Sequence, residues 1–427
     1  MSKSKILIIG AGAAGLCAAR HATASGKYEC TIFEQTGSIG GTWVYTDEIH
    51  QDKFGNSIHS SMYRNLKTNL PKEVMQFLDF PFPECDKSFL HHSDVCRYLK
   101  KYAEKNRLRD HIQFFKKVKE VRPENGNGAI KWLVKVVDLP SGELHDHIFD
   151  YVMVCTGHYS EPRNPVIPGI ESFRGIVMHS HEYRIPDPFR NKRLAVLGAS
   201  TSGVDISIEV SSVAKEVFLC HRLPHKMKFE LPDNVKQLPS IVSAFEGGFV
   251  LEDGRKCEAD MVLFCTGYQY NFPFLSSDCK IQVIDNRVVP LYKHIINIEY
   301  PTMCFIGLPF IVLPFVMFDY QVQFFIKTLD LPVILPSKEE MEKDSAEDLK
   351  KRIDLGMPSR YAHKLDYMQW EYFEYLAKSA DIPKPPVLLR KIYEDVRKTI
   401  KTDVMNFKTY RYEIVDNANF RKFQLCS

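Results

Sequence analysis

"KILIIGAGAAGLCAARHATASGKYECTIFEQ", Lys5 to Gln35, decides the fold. Ile6 to Ile9 form a short, wholly apolar run, the pattern of a parallel strand buried on both faces. Gly10, Gly12 and Gly15 follow in G-x-G-x-x-G spacing, and Ala13 and Ala14 open a helix that Gly26 closes as its C-terminal cap. "ECTIFEQ" then reads as a second strand ending at Glu34. The glycines permit a tight turn, close approach of backbone to a pyrophosphate, and close packing of helix on strand. Strand, glycine turn, helix, strand and acid in that order predict a dinucleotide-binding βαβ unit. The Glu34 carboxylate accepts from a ribose 2′-hydroxyl and repels a 2′-phosphate, so this unit is expected to take FAD or NAD.

A second unit of the same kind begins at "LAVLGASTSGVD", Leu194 to Asp205. Its turn reads Gly198-x-Ser200-x-x-Gly203, with serine in the middle position and Ser202 opening onto the same phosphate region. "VDISIEVSSVA" is the expected helix and "EVFLCHR" the following strand. At its tip stand His221 and Arg222, with His225 and Lys226 just beyond, where the first unit carries its acid. Cations there favour the 2′-phosphate of NADPH, Arg222 foremost, with a solvated turn as the other reading of His221, His225 and Lys226. One turn thus excludes the phosphate that the other attracts.

A further echo links the two units. "DYVMVCTGHY" (150–159) and "ADMVLFCTGYQY" (259–270) are each an acid-led apolar strand ending in Cys-Thr-Gly. They are expected to carry the chain out of one domain and back from another, the glycine making the sharp exit. The fold class is therefore α/β, with two Rossmann-like dinucleotide-binding domains, the second inserted into the first. The expected boundaries are 1–159 and 271–427 for the FAD domain, with C-terminal helices, and 160–270 for the NADPH domain.

Length and composition agree. The 427 residues suit two or three domains, and 44% hydrophobic residues exclude a disordered chain. A net charge of +3, without a long Lys/Arg run, argues against nucleic acid as a partner. The eleven cysteines are scattered without a Cys-x-x-Cys pair, as expected of reduced core residues in a reducing compartment. "HSH" at 179–181 and "HH" at 91–92 lack an acid or cysteine to complete a tetrahedral set, so no metal is expected. Met303 to Phe318 is the most apolar stretch, but Pro309 and Pro314 interrupt it. It is read as core rather than a membrane span, with an apolar substrate channel as the alternative. No secretory leader precedes the first strand and no transmembrane anchor is seen, so the expectation is a soluble, cytoplasmic protein; a leader removed earlier would make it secreted.

"FRGIVMHSHEY", Phe173 to Tyr183, carries a resemblance. Phe173-x-Gly175-x-x-x-His179-x-x-x-Tyr183 resembles the identifying motif of the flavin-containing monooxygenases, and Gly40-Gly41-Thr42-Trp43, "YRNLKTN" (63–69) and Cys265-Thr266-Gly267-Tyr268 are similar to further family landmarks. The compact chain looks most like the insect group that includes pyrrolizidine alkaloid N-oxygenases such as senecionine N-oxygenase. The resemblance implies FAD reduced by NADPH, dioxygen captured as a flavin hydroperoxide, and oxygen passed to a soft nucleophile such as a tertiary amine or a sulfide. It also implies a homo-oligomer.

By motif position, Asn69 is the expected catalytic residue beside the flavin ring, where its amide both donates and accepts. Thr68, Gly41, Thr42, Trp43, Thr156 and Gly157 join it as expected cofactor contacts, with Thr266, Gly267 and Tyr268 on the second unit. Gln321 stands where the family carries a Glu-x-Gln element, here Asp319-x-Gln321. His179 is expected to order the hinge between domains rather than act as a base. Two other readings stay open: a Baeyer–Villiger monooxygenase acting on ketones, whose motif usually ends in tryptophan where Tyr183 stands, and a flavin-binding scaffold without catalysis.

Overall fold

The computed structural model describes residues 3–126, 129–223, 225, 227–331 and 334–425; Lys226 and Cys426 lie outside the described residues. Two parallel sheets organise it, and each is built around one glycine turn.

In the first sheet, the strand Ser4–Ile9 lies between Tyr28–Phe33 and Tyr151–Val154, with Ile112–Gln113 beyond the former and Met303–Phe305 beyond the latter. These strands are all parallel; Ile296–Asn297 and Leu291–Tyr292 extend the sheet antiparallel at one edge. In the second, Arg193–Leu197 lies between Glu216–His221 and Met261–Phe264, flanked in turn by Val235–Pro239 and Ile176–His179, all parallel. Chain order through the five parallel strands differs only at one edge, and each sheet carries an antiparallel three-stranded meander inserted before its Cys-Thr-Gly strand. The meanders are Lys116–Gly126, Ala129–Asp138 and Leu144–Phe149 in the first, and Ile241–Phe245, Gly248–Leu251 and Lys256–Glu258 in the second.

Among the described residues, seven α-helices complete the fold: α1 (Ala13–Ala24), α2 (His92–Lys105), α3 (Thr201–Ser211), α4 (Pro314–Asp330), α5 (Lys338–Asp354), α6 (Gln369–Ala380) and α7 (Val387–Thr402). Strand alternation sorts the core. Ile6 and Ile8 face α1 and α4, whereas Leu7 and Ile9 face Trp132, Val134 and Phe149 of the first meander. Likewise Leu194 and Val196 face α3, and Ala195 and Leu197 face Phe249 and Leu251. A strand buried on both faces must be apolar throughout, which is why these runs stand out in the sequence.

Several local expectations are met. Ser25 caps α1 and Gly26 follows at φ +68°. Most of 303–318 is buried, Met303–Phe305 as strand and the rest leading into α4. Eight cysteines are buried and none of the ten described is bonded to another. The helix of the second unit begins at Thr201, three residues ahead of the expected "VDISIEV", because Ser200, Thr201 and Ser202 form its start rather than a loop. Among the described residues, no helix is long and apolar enough to cross a membrane.

Candidate functional site

Each glycine turn rests on its own Cys-Thr-Gly strand. Gly10, at φ +103°, places its α-carbon so that a Cβ would come 2.8 Å from the Cys155 carbonyl oxygen. Gly198, at φ +111°, stands in the same relation to the Cys265 carbonyl, at 2.5 Å. The ladders repeat too: Cys155 N–H donates to Ile9 O (3.0 Å) and Cys265 N–H to Leu197 O (2.9 Å). Gly15 and Gly203 complete the parallel, since a Cβ on either would strike the first glycine's carbonyl oxygen at 1.9 Å. The Cys-Thr-Gly echo is therefore the floor of each turn, besides marking where the chain leaves and re-enters the first sheet.

The middle positions separate conformation from space. Gly12 (φ −77°, ψ −174°) and Ser200 (φ −81°, ψ −173°) cap α1 and α3 in the same extended geometry, open to any residue. Neither caps with its side chain, so the first N–H groups of both helices point outward for an anion. The tight contact lies across from it: a Cβ on Gly12 would meet Gly41 at an ordinary 3.5 Å, whereas Gly41 is at φ +56° and a Cβ there would come 3.0 Å from the Gly12 α-carbon. The Gly40 amide donates to Ala11 O (3.1 Å), folding the 40–43 turn against the first glycine turn.

Glu34 follows the second strand and is buried. Its Oε2 accepts from Ala11 N (2.8 Å), and its Oε1 from Thr36 N (2.7 Å) and Thr36 Oγ1 (2.8 Å). Burial pushes its pKa up, against the pull of those donors. The carboxylate thus braces the glycine turn while Oε2 keeps a free lone pair toward it.

The second unit places His221 at the matching position, since Gly10 donates to Phe33 O and Gly198 to Cys220 O, each at 2.9 Å. Here the expectation of a phosphate-binding cation is corrected. His221 is buried, its Nδ1 accepts from Leu223 N (3.2 Å) and its Nε2 bonds Gln237 Oε1 (3.3 Å), so both ring nitrogens are spent inside the protein. What remains is the absence of a carboxylate and, next door, an exposed Arg222. That guanidinium, 76% exposed, pairs with Glu252 (Nε–Oε1 3.2 Å).

Thr42 Oγ1 and Asn69 Oδ1 are buried with no hydrogen-bond partner among the described residues. Both belong to the expected flavin contacts, and a buried acceptor left unpaired costs about 1–3 kcal/mol unless a ligand satisfies it. The orphaned atoms, the uncapped helix starts and the glycine cradle fit a dinucleotide with a polar ring system. Thr68 is tied to Leu90 in both directions (Thr68 N to Leu90 O 2.8 Å; Leu90 N to Thr68 Oγ1 3.0 Å), so it anchors the segment next to Asn69. Trp43 is half-buried at the edge of the main core. Thr156 and Gly157 follow the first floor strand, and Gly157 lies exposed at φ +70°.

Beyond the two floors the chains converge. Tyr159 and Tyr268, each just past a Cys-Thr-Gly, meet edge to face at 5.5 Å. His158 packs on Tyr159 (4.2 Å) and His181 on Tyr268 (5.8 Å). Tyr159 is 44% exposed, yet its surroundings push its hydroxyl up to about 12, the combination expected in the wall of a deep cleft. His158 and His59 are held down to about 4 by the same desolvation.

The identifying motif joins the two sheets through packing and hydrogen bonds. A Cβ on Gly175 would strike the Phe173 ring at 2.3 Å and the Asp260 carbonyl oxygen at 2.4 Å, so the Phe-x-Gly spacing is a packing requirement. His179 Nδ1 accepts from His181 N (3.0 Å), which leaves its Nε2–H to donate to Gly267 O (3.1 Å); burial holds its pKa down to about 4. Thr266 Oγ1 donates to Arg163 O (2.6 Å) on the outgoing chain. Arg184, just past the motif, passed unnoticed in the sequence. Its buried guanidinium donates to the carbonyls of Thr46, Glu48, Ser60, His181 and Tyr183 at 2.7–3.3 Å, fastening the 46–60 loop of the first unit to the end of the motif.

Gln321 requires a second correction. It is fully enclosed, its Oε1 accepting from Gly307 N (2.9 Å) and its Nε2 donating to Tyr372 OH (2.8 Å). Both ends of the amide hold α4 to its neighbours, so it does not line the cleft. The sequence also missed a Cys17, His21 and Asp319 group whose ligand atoms lie within 4.8 Å of one another. His21 Nε2 and Asp319 Oδ1 bond directly at 2.6 Å, and the Arg20 guanidinium sits 2.9 Å from His21 Nδ1. A cation beside the ring favours a hydrogen-bonded pair over a metal ligand.

Two glycine turns on separate parallel sheets, with floors that meet at a shared aromatic wall, define a two-dinucleotide oxidoreductase fold. The comparisons make this specific. A family model described as flavin-binding monooxygenase-like matches residues 3–227 and 228–421, and the chain belongs to that family. It is 39% identical over 401 residues to a flavin-containing monooxygenase, FMO GS-OX4, of Arabidopsis thaliana, covering 90% of this chain and 86% of that protein. The solved structure of S-allyl-L-cysteine S-oxygenase from Allium sativum superposes with a TM-score of 0.88 at 37% identity, covering 95% of each chain. That of Tmm from Pelagibacter sp. strain HTCC7211 gives 0.86 at 28% identity, covering 98% of this chain and 96% of that one. Cyclohexanone monooxygenase, at 14% identity and a TM-score of 0.59, shares the fold. The protein is thus a flavin-dependent monooxygenase with plant relatives among its matches.

Proposed function

We propose that this protein is an FAD- and NADPH-dependent monooxygenase that oxygenates a soft heteroatom, sulfur in a thioether foremost and nitrogen in a tertiary amine second. The 1–159 and 271–427 parts would hold FAD, and 160–270 would hold NADPH. The observation that carries the assignment is the contrast at matched positions: a buried carboxylate, Glu34, beside the first turn, and His221 in its place beside the second, followed by an exposed Arg222 that pairs with Glu252. A 2′-phosphate is repelled at one and paired at the other.

The flavin supplies the oxygen-activating redox chemistry when bound. The chain's residues bind, orient and shield. Gly10, Gly12, Gly15 and Gly41 let the backbone close on a pyrophosphate, with the α1 N–H groups facing it. Asn69 and Thr42 offer their unpaired acceptors to the ring system or its ribityl chain. Tyr159 and Tyr268 exclude bulk water where the floors meet. The 37% identity to an S-oxygenase favours sulfur; an alkaloid amine of the pyrrolizidine type is the second arm, and Tyr183 ending the motif disfavours a ketone substrate.

The test is a substrate panel with a thioether, a pyrrolizidine-type tertiary amine and a cyclic ketone, following NADPH consumption and product mass together. Sulfoxide formation tightly coupled to NADPH use is expected. Ester or lactone formation without sulfoxide or N-oxide, or absence of flavin bleaching on anaerobic NADPH addition, overturns the reading.

A further inference from the structure

The segment that ends at Asn69 is fastened to the helix that faces the second dinucleotide. Tyr63 OH donates to Asp205 Oδ2 on α3, and Lys408 Nζ donates to Asp205 Oδ1 (2.7 Å) while also reaching Lys67 O (3.2 Å). One turn further along α3, Glu209 Oε1 accepts from Asn65 Nδ2 (2.8 Å). Tyr183, the last residue of the identifying motif, packs its ring on Tyr63 at 5.3 Å. Arg64 N donates to Arg184 O (2.9 Å), closing the joint on the hinge side.

Asp205 lies one turn into α3, just after the Thr201–Gly203 start whose amides face the phosphate region. Tyr63 opens the 63–69 stretch, and that stretch is stiff: Thr68 is locked to Leu90, and His92 N donates to Leu66 O (3.0 Å). Both Asp205 oxygens are occupied by groups from outside its own unit, so a shift of α3 pulls on the segment that carries Asn69. We infer that Asp205 is a positioning residue that couples occupancy of the NADP site to the placement of Asn69 at the flavin. This rests on the assignment of the two turns proposed above. Its consequence is that NADP holds the Asn69 segment in register through the Tyr63–Asp205–Lys408 joint, and a broken joint lets electrons from NADPH end on dioxygen as hydrogen peroxide instead of in product.

The test uses the flavin-loaded full chain and the variants Tyr63→Phe, Asp205→Asn and the double variant, with Lys408→Met as an independent arm. Flavin content, melting temperature, the dissociation constant for NADP read from flavin absorbance, and the hydrogen peroxide yield per NADPH are measured. Each single variant is expected to keep its flavin, weaken NADP about tenfold and raise the peroxide fraction several-fold. The double variant is expected to match the worse single one, because both cut the same strut. Fully additive losses, or a lowered melting temperature with unchanged NADP affinity and peroxide yield, overturn the coupling role. A wild-type protein that holds no flavin, or that holds it but binds no NADP, instead overturns the assignment of the turns, and the coupling with it.

Discussion

Gly198 and Ser200 sit two residues apart in the second turn, and their substitutions have opposite consequences. Gly198 combines φ +111° with a would-be Cβ 2.5 Å from the Cys265 carbonyl oxygen, so Gly198→Ala is expected to cost about 2–4 kcal/mol and most NADPH affinity, read by chemical denaturation and NADP titration. Ser200→Gly is expected to leave the fold and flavin content unchanged, because φ −81° suits any residue. Arg222 is restrained by Glu252; Glu252→Gln should release the guanidinium and lower the Michaelis constant for NADPH several-fold with that for NADH unmoved, whereas Arg222→Ala should raise the first alone. An exposed pair of this kind is itself worth under about 1 kcal/mol, so stability should not change. The sequence showed the glycines and Glu34 because their chemistry is local. It misassigned His221 and Gln321 because ring and amide partners, Gln237 and Tyr372, come from elsewhere in the chain.

At the scale of elements, the Phe173–Tyr183 motif is a joint between two sheets. Its first half packs, Phe173 lying across Gly175 and against Phe249 (4.8 Å); its second half hydrogen-bonds, through His179 to Gly267. Arg184 extends the joint with five carbonyl contacts that a planar fork makes and an ammonium does not. Arg184→Lys is therefore expected to destabilise by about 2–4 kcal/mol and to loosen the 46–60 loop, measured as faster amide exchange in that loop with the second sheet unaffected. The motif's presence was legible, as was the placing of His179 between the two sheets rather than at a reacting centre. The reason for its spacing was not, since the Phe173 ring meets Gly175 only once the chain turns into the Ile176–His179 strand. Strand positions were legible from apolar runs; the start of α3 was not, because three small polar residues at 200–202 read equally as a loop.

At the scale of the molecule, the chain repeats one plan: a glycine-turn strand, its helix, a second and third parallel strand, a meander, and a Cys-Thr-Gly floor. The repeated words at 155–157 and 265–267 made that plan visible, whereas the C-terminal third, with no repeated motif, gave only helices to expect. There α4 and α6 pack together over the first sheet, and Tyr412 N donates to Ser88 Oγ (2.8 Å) near the Asn69 segment. Where these parts meet, His179 and His363 are buried and His59, His158 and His294 half-buried. Burial holds His59, His158 and His179 down to about 4 and His294 to about 3, and pushes His363, which faces His294 and the cations Arg287 and Arg352, well below its ordinary value. An unfolded histidine titrates near 6.5, so between about 6.5 and 4 the unfolded chain binds protons that the folded one refuses, and stability must fall as pH falls through that window. For His179, only 4% exposed, the loss by pH 4 is about 3 kcal/mol. A few such groups together rival the whole stability of a typical domain, about 5–15 kcal/mol. The protein is expected to lose its melting temperature steeply below pH 6 and to unfold near pH 4–5. Proton uptake on unfolding at pH 5, from the pH dependence of the denaturation midpoint, should exceed two per chain; His363→Gln should lower it by close to one. A flat midpoint from pH 7 to 4.5 would mean that these rings are hydrated in solution, and that the cleft wall built on His158 and Tyr159 stays open to water.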